Sequence, residues 1–273
     1  MINALRAELL KMRTMPGVWV TFGLALPLTV LGILIVLASA GGFPGHTFYY
    51  VTSLSQRRRL LGAGFFGIEV LAPIIGVLCI TSEYRQKTIT TSLVLVPVRS
   101  RVLLAKVIAT ALWSIFIALL GLVVIAAVAL PWNAALGGVT SQVTDQVGAV
   151  IPGLLTSAVL LGLFGLGFGT LVKNQVAAIL LTIGGTLILE GILIALAKAI
   201  LHYDLNWLPN GAGAALAGDI ARGFGGGGGG GDGGNGPNAF RLLAWWQGGL
   251  VLLAWGVGPL ILGYFTTFRR DVT

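Results

Sequence analysis

Between two long apolar segments lies the polar stretch SEYRQKTITTSLVLVPVRSRVLLAK, residues 82–106. It holds six charged side chains in a chain of which only 10% is charged, and charge at this density requires water or a protein partner. Ser82 is a suitable N-cap, and the carboxylate of Glu83 would complement a helix dipole. The pattern predicts a short helix that begins after Ser82 and ends before Pro97, followed by a basic hinge at residues 99–101.

The composition around this stretch sets the class of protein. The 273 residues are 56% hydrophobic, with a mean hydropathy of +0.94, whereas soluble domains carry about 25% charged residues. We therefore expect an all-α polytopic membrane protein, with one transmembrane domain over residues 1–273. Basic residues that flank apolar spans explain the net charge of +8, so no nucleic-acid partner is expected.

Six apolar runs are long enough to cross a hydrocarbon core of about 30 Å at about 1.5 Å per residue. The spans are predicted at about residues 18–40, 61–81, 107–130, 150–172, 176–197 and 243–265. Residues 1–16 are too short and too charged to span. Their apolar side chains recur at helical spacing, which predicts an amphipathic helix in the inner headgroup layer, in contact with membrane lipids.

The distribution of basic residues predicts the orientation. Eleven Lys and Arg residues flank the spans on the side of the N-terminus and six on the other, which favours cytoplasmic N- and C-termini. The three arginines at residues 57–59 are the exception, because this topology places them outside. The longest outer segment is expected to contain a short helix at residues 212–220 and a flexible glycine-rich loop at residues 223–236.

Two acids fall inside the apolar spans, Glu69 near the middle of the second and Glu190 in the outer half of the fifth. An intramembrane carboxylate costs several kcal/mol unless it is protonated, paired or facing water, so both should face the bundle interior. They are either neutral groups hydrogen-bonded to a neighbouring helix or polar contacts on a transport route. Small residues on one helix face predict close packing, within the chain or between subunits, at Gly162, Gly165, Gly169, Gly249, Gly256 and Gly263.

Sequence motifs for catalysis are absent. The chain has no G-x-x-x-x-G-K-[ST], no G-x-S-x-G, no H-E-x-x-H and a single cysteine, Cys79. We therefore expect no catalytic residue, no metal and no cofactor bound by this chain itself. Cys79 is interpreted as a core residue, and His46 and His202 as polar residues of the outer interface.

The polar stretch resembles a known family. It contains E-Y-R-x-x-T at residues 83–88, T-T-S-L at 90–93, P-V-R-S-R at 97–101 and A-K at 105–106. Together with the amphipathic N-terminus and six spans, this resembles the permease subunits of type-2 ABC exporters, especially actinobacterial ones. The resemblance implies that a coupling helix between spans 2 and 3 docks on a cytosolic ATPase. The implied contact residues are Glu83, Tyr84, Arg85, Thr88, Arg99 and Arg101.

The resemblance also implies a function. The chain would be the plasma-membrane permease of an exporter for a hydrophobic or amphipathic substrate, such as a drug, an antibiotic, a lipid or a glycolipid. Two copies of a separate ABC ATPase would bind ATP and Mg²⁺, and a second permease, identical or paralogous, would complete the complex. Two alternatives stay open: a proton-coupled secondary transporter that uses Glu69 and Glu190, and a non-transporting membrane scaffold.

Overall fold

The computed structural model describes residues 2–39, 65–86, 99–135, 147–172, 174–201, 205–216 and 243–268. These residues are almost entirely helical, with no strand among them. Six of the helices are long and apolar enough to cross a membrane. The predicted all-α membrane architecture is confirmed. The predicted glycine-rich loop, His46, His202 and the arginines at 57–59 lie outside the described residues.

We number the helices in chain order. α1 is Ile2–Thr14, α2 is Pro16–Ser39, α3 is Phe65–Gln86, α4 is Arg99–Ala135 and α5 is Val147–Leu171. α6 covers residues 175–201 and contains two π-helical segments, Gly184–Leu189 and Ala197–Leu201. α7 is Pro209–Leu216, and α8 covers residues 245–268, the last five of which are π-helical. The six membrane-crossing helices are α2 to α6 and α8.

The polar stretch does not begin a new helix at Ser82, so that prediction was wrong. α3 runs unbroken from Phe65 to Gln86, because no proline or glycine interrupts the chain after Gly76. The Ser82 hydroxyl is buried and has no hydrogen-bond partner among the residues that the structure describes, so it does not cap a helix there. Residues 87–98 lie outside the described part of the chain.

The basic hinge predicted at residues 99–101 was also wrong, because these residues form the first turn of α4. Since α4 is 37 residues long, it extends the third span at both ends. Pro97, just before the helix, is compatible with this start.

The core is built on close contact between α3 and α5. A Cβ atom placed on Gly165 would collide with the backbone of Pro73, and one placed on Gly76 would collide with the backbone of Gly162. A side chain at Gly169 would meet Val77 and Ile80 of α3. Because the side chain of glycine is a single hydrogen atom, the backbones of α3 and α5 can approach closely, as is common where small residues line membrane helices. α3 is consequently the most buried span.

The glycines of α8 lie against neighbouring helices of the same chain. A Cβ on Gly256 would approach the backbone of Leu160, and one on Gly263 would strike Thr170, both on α5. Gly249 faces Leu216 of α7 at a longer distance. These three glycines therefore pack against helices of the same chain. The sequence alone could not distinguish such internal packing from a contact between subunits.

The short helix α7 begins at Pro209, three residues before the predicted start, and its described part ends at Leu216. Proline suits the first helical position because its missing N–H would have no partner there. The chain packs α7 against α8, where the carbonyl of Ala212 lies so close to Gly248 that only glycine fits. The Ser157 hydroxyl of α5 donates to the Gly213 carbonyl at 3.4 Å.

Candidate functional site

Four charged side chains form an ionic network where α1, α3 and α4 meet. Lys106 Nζ lies 2.8 Å from Glu8 Oε2 and 2.8 Å from Glu83 Oε1. Lys11 Nζ lies 3.0 Å from Glu8 Oε1 and 2.7 Å from Glu83 Oε1. Each lysine therefore bridges both glutamates. We call Glu8, Lys11, Glu83 and Lys106 the ionic network.

The local fold brings these side chains together. Glu8 and Lys11 are three residues apart in α1, so they lie on the same helix face. The apolar side chains of Leu5, Leu9 and Met12 pack α1 onto the core that contains Ile75, Cys79 and Ala109. Glu83 lies in the last turn of α3 and Lys106 in the second turn of α4. α1 thus contacts the end of α3 and the start of α4 at the same time.

Burial makes the network costly to disrupt. Lys106 is 0%, Glu83 2% and Glu8 4% exposed. The Lys106 ammonium also donates to the Cys79 carbonyl at 3.3 Å, which fills its third donor position. Two positive and two negative charges balance each other, so each charge of the ionic network has a counter-charge. Removing a fully buried member of such a group leaves a buried charge uncompensated, at a cost of about 3–5 kcal/mol.

Lys11 is the member of the network nearest to solvent, with 34% of its side chain exposed. Partial burial by itself lowers the pKa of Lys11. The hydrogen bond that Lys11 donates to Glu83 and the negative charges of Glu8 and Glu83 outweigh that effect, so the pKa of Lys11 is held above its ordinary value of 10.5. Lys11 is therefore charged at physiological pH.

The residues predicted to contact an ATPase fall into different environments. Glu83 is buried in the ionic network, and Tyr84 is half-buried against the core. Arg85 and Arg101, at either end of residues 87–98, are exposed. Arg99 begins α4, and Thr88 lies outside the described residues. The structure thus separates one internal acid from two arginines that are open to a partner.

The sequence reasoning missed Glu8 and treated Lys11 and Lys106 only as cations that set the orientation. A signal was present, because Glu8 is the single acid in the N-terminal segment and stands three residues before Lys11. Lys106 stands between apolar residues on both sides, where an unpaired cation would be costly. The pairing itself depends on three segments that are distant in sequence.

The two intramembrane acids lie far from the ionic network. Glu69 is the fifth residue of α3, whose described part is Phe65–Gln86, and the predicted first residues of this span, 61–64, lie outside the described part of the chain. It is 14 residues before Glu83 on the same helix, which corresponds to about 21 Å at 1.5 Å per residue. Both Glu69 and Glu190 are buried, as expected from their apolar surroundings.

Glu190 holds the start of α7. Its Oε1 accepts the backbone N–H of Asn210 at 2.9 Å and that of Gly211 at 3.3 Å. The side-chain amide of Asn210 donates to the Thr186 carbonyl at 2.8 Å. That carbonyl lies in a π-helical segment of α6, where the shifted hydrogen-bond register changes which carbonyls are paired within the helix. In contrast, neither carboxyl oxygen of Glu69 has a hydrogen-bond partner among the described residues.

A model of the ABC-2 family transporter proteins matches residues 4–188, more than half of the chain. The chain belongs to the ABC-2 transporter family. A comparison with curated proteins finds no significant match. The matched region contains all four residues of the ionic network and Glu69, and it ends two residues before Glu190.

Membership of the ABC-2 family establishes the general role. The protein is a multi-pass membrane permease of an ABC transporter, and its family works with an ABC ATPase. In this ABC-2 permease, Glu83 and Lys106 of the ionic network flank in sequence residues 87–98, the segment that connects spans 2 and 3.

Proposed function

We propose that this permease is the membrane subunit of an ATP-driven exporter, and that residues 87–98 with their flanking arginines receive the motion of a cytosolic ATPase. The exported molecule is hydrophobic or amphipathic, of the class of drugs, antibiotics, lipids or glycolipids. Two ATPase copies bind ATP and Mg²⁺, and a second permease completes the complex in the plasma membrane. The N- and C-termini face the cytoplasm, in keeping with the excess of basic residues on that side.

The observation that carries this proposal is the ionic network. Glu83 precedes residues 87–98 by a single helical turn, and Lys106 follows them by two turns. Both are bound to α1 through Lys11 and Glu8. A push on the connecting segment therefore cannot move the end of α3 alone, because charged contacts of 2.7–2.8 Å tie it to α4 and α1.

The exposed arginines give this end of the molecule a surface for the ATPase. Arg85 and Arg101 are exposed, and arginine forms paired hydrogen bonds with carboxylates. We assign docking to these two residues. The Oε1 atom of Glu83 already forms ion pairs with two lysines. We therefore assign Glu83 to the stabilisation of this end of α3 from the protein interior, where Tyr84 packs against the core.

The test is substrate-stimulated ATP hydrolysis by the purified permease–ATPase complex. Arg85→Glu should abolish the stimulation, because it reverses a docking charge while leaving the ionic network intact. Arg85→Lys keeps the charge and should retain a measurable part of it. Full stimulation in Arg85→Glu, with normal membrane insertion, would contradict the docking role.

Proton-coupled transport remains a second candidate because Glu69 is a buried acid without a hydrogen-bond partner among the described residues. The two candidates differ in their source of energy. Transport that persists without the ATPase and stops when the proton gradient is dissipated would support the second. Transport that requires ATP and ignores the gradient would support the first.

A further inference from the structure

We infer that the outward side of α1 is a binding surface for the headgroups of anionic phospholipids, formed by Arg6, Leu10 and Arg13 together with Trp19 of α2. We call these four residues the lipid face. This surface is independent of the exporter function proposed above, since it concerns the membrane around the permease rather than its cargo or its ATPase.

The lipid face is the side of α1 that points away from the core. Residues 6, 10 and 13 are each about one helical turn apart, so they lie on one side of the helix. Arg6 and Arg13 are exposed, and Leu10 between them has 61% of its side chain exposed. The opposite side of α1 is closed, because Glu8 and Met12 are buried there. An exposed leucine between two arginines suits the membrane boundary, where acyl chains and headgroups are both within reach.

α1 is attached directly to a membrane-crossing helix. Met15 is the single residue between α1 and α2. Its N–H donates to the Lys11 carbonyl at 3.1 Å, and its carbonyl accepts the N–H of Val18 at 3.2 Å. Since α2 is long and apolar enough to cross the membrane from Pro16 onwards, the end of α1 lies at the membrane surface.

Trp19 marks the depth of this end of α1. Its side chain is exposed, and its indole Nε1 donates to the backbone carbonyl of Arg13 at 2.7 Å. Tryptophan is enriched at the level of the headgroups, because its ring is apolar and its N–H is polar. The hydrogen bond holds Arg13 at the level of this indole, which places the charge of Arg13 among headgroup phosphates.

The two arginines find no acid to pair with in the part of the chain that the structure describes. Glu8 and Glu83 are bound by the lysines of the ionic network, and Glu69 and Glu190 are buried within the spans. Arginine stays charged at neutral pH and forms paired hydrogen bonds with phosphate. An anionic headgroup therefore supplies the counter-charge that the lipid face lacks.

The two sides of α1 connect this lipid contact to the rest of the permease. On the inner side, Glu8 and Lys11 form ion pairs with Lys106 of α4 and Glu83 of α3. On the outer side, the lipid face is open. A bound headgroup therefore acts on the same helix that holds the end of α3 to the start of α4.

The test measures lipid binding to the purified full-length permease, without an ATPase, by native mass spectrometry. The probes are phosphatidylglycerol, which is anionic, and phosphatidylcholine with the same acyl chains, which has no net charge. We expect Arg6→Gln combined with Arg13→Gln to weaken the tightest phosphatidylglycerol binding by about tenfold or more, because each basic residue near the surface adds to the attraction. Phosphatidylcholine binding should not change.

Two matched double variants serve as controls. Arg6→Lys with Arg13→Lys keeps both charges and should retain more binding than the glutamine pair, which guards against a loss caused by misfolding. Arg85→Gln with Arg101→Gln removes the same charge from exposed positions outside α1 and should leave phosphatidylglycerol binding unchanged. Native binding by Arg6→Gln with Arg13→Gln would overturn the inference. Equal losses in the two glutamine pairs would overturn it as well, since net charge rather than α1 would then set the affinity.

Two further measurements identify what the lipid face binds. Glycerophosphoglycerol carries the same headgroup without acyl chains, and it should not displace phosphatidylglycerol at equal concentration, because Leu10 and Trp19 contact the chains. Complete displacement would mean a site for soluble phosphate and contradict a lipid surface. If Arg6→Gln with Arg13→Gln releases the ATPase from the purified complex while phosphatidylglycerol binding stays intact, α1 is a protein contact. That result would refute the lipid face and leave the proposed exporter function standing.

Discussion

At the scale of single residues, Lys106 is the centre of the ionic network. It is fully buried between Glu8 and Glu83, whereas Lys11 contacts the same two acids from a site that is 34% exposed. If Lys11 were removed, water could solvate the two glutamates in part, whereas water cannot reach the buried position of Lys106. The two lysines therefore form a matched pair for measuring what burial does to an ion pair.

We predict that Lys106→Met lowers the free energy of unfolding by about 3–5 kcal/mol, because Glu8 and Glu83 then share one lysine in a buried site. Lys11→Met should cost about 1 kcal/mol or less, since solvent screens the exposed group. Denaturant titration of both variants in one detergent provides the measurement. Equal losses in the two variants would show that the network is not buried as the structure has it.

Adding Glu8→Gln to Lys106→Met should cost less than the sum of the two single changes, because the second change removes a charge that the first left unpaired. The same titration of the two single variants and the double variant gives the coupling energy. Strict additivity would mean that Glu8 and Lys106 do not interact.

The pH dependence of Lys11 has a definite sign. Its pKa is raised above 10.5 in the folded protein, so its contribution is fully present below pH 10.5 and is lost as the pH rises through the folded-state pKa. The difference in melting temperature between the native permease and Lys11→Met should therefore be constant at neutral pH and shrink only in strongly alkaline buffer. A difference that shrinks on acidification towards pH 6 would contradict the assignment.

At the scale of helices, the contact between α3 and α5 depends on glycine. A methyl group on Gly165 would overlap the backbone of Pro73, whereas one on Gly23 of α2 would meet no atom within 4 Å. We expect Gly165→Ala to lower the free energy of unfolding by about 1–3 kcal/mol through overpacking. Gly23→Ala should be neutral or slightly stabilising, because alanine favours the helix. Equal effects of the two substitutions would contradict the close α3–α5 contact.

The sequence predicted helices better than their ends. The six apolar runs were recognisable because hydrophobicity over about 20 residues is a strong signal. Ser82 looked like an N-cap because serine favours that position, yet the α3 helix continues through it. Local propensity cannot reveal that Glu83, one residue later, is bound by lysines from two other helices. Such pairing is set by tertiary packing.

The intramembrane acids illustrate the same limit. Their burial followed from the cost of charge in an apolar span, and the sequence was sufficient for that conclusion. The difference between them was not predictable, because it depends on α7. Glu190 is satisfied by the backbone of Asn210 and Gly211, which are 20 and 21 residues away, while Glu69 has no such partner among the described residues.

At the scale of the whole molecule, the described helices carry buried acids at two ends of the bundle. One contains the ionic network and the exposed Arg85 and Arg101, which flank in sequence the segment that we assign to the ATPase. The other contains the buried acids Glu69 and Glu190. The long buried helix α3 carries a residue of each end.

The central claim is that residues 87–98 face the cytosol, where an ATPase can reach them. The most direct measurement is labelling of Lys87→Cys in a Cys79→Ser background with a membrane-impermeant maleimide. Replacing Cys79, which is buried, removes the native thiol. We predict labelling only after the cells are permeabilised. Labelling of Lys87→Cys in intact cells would place this segment outside and contradict the coupling of this permease to a cytosolic ATPase.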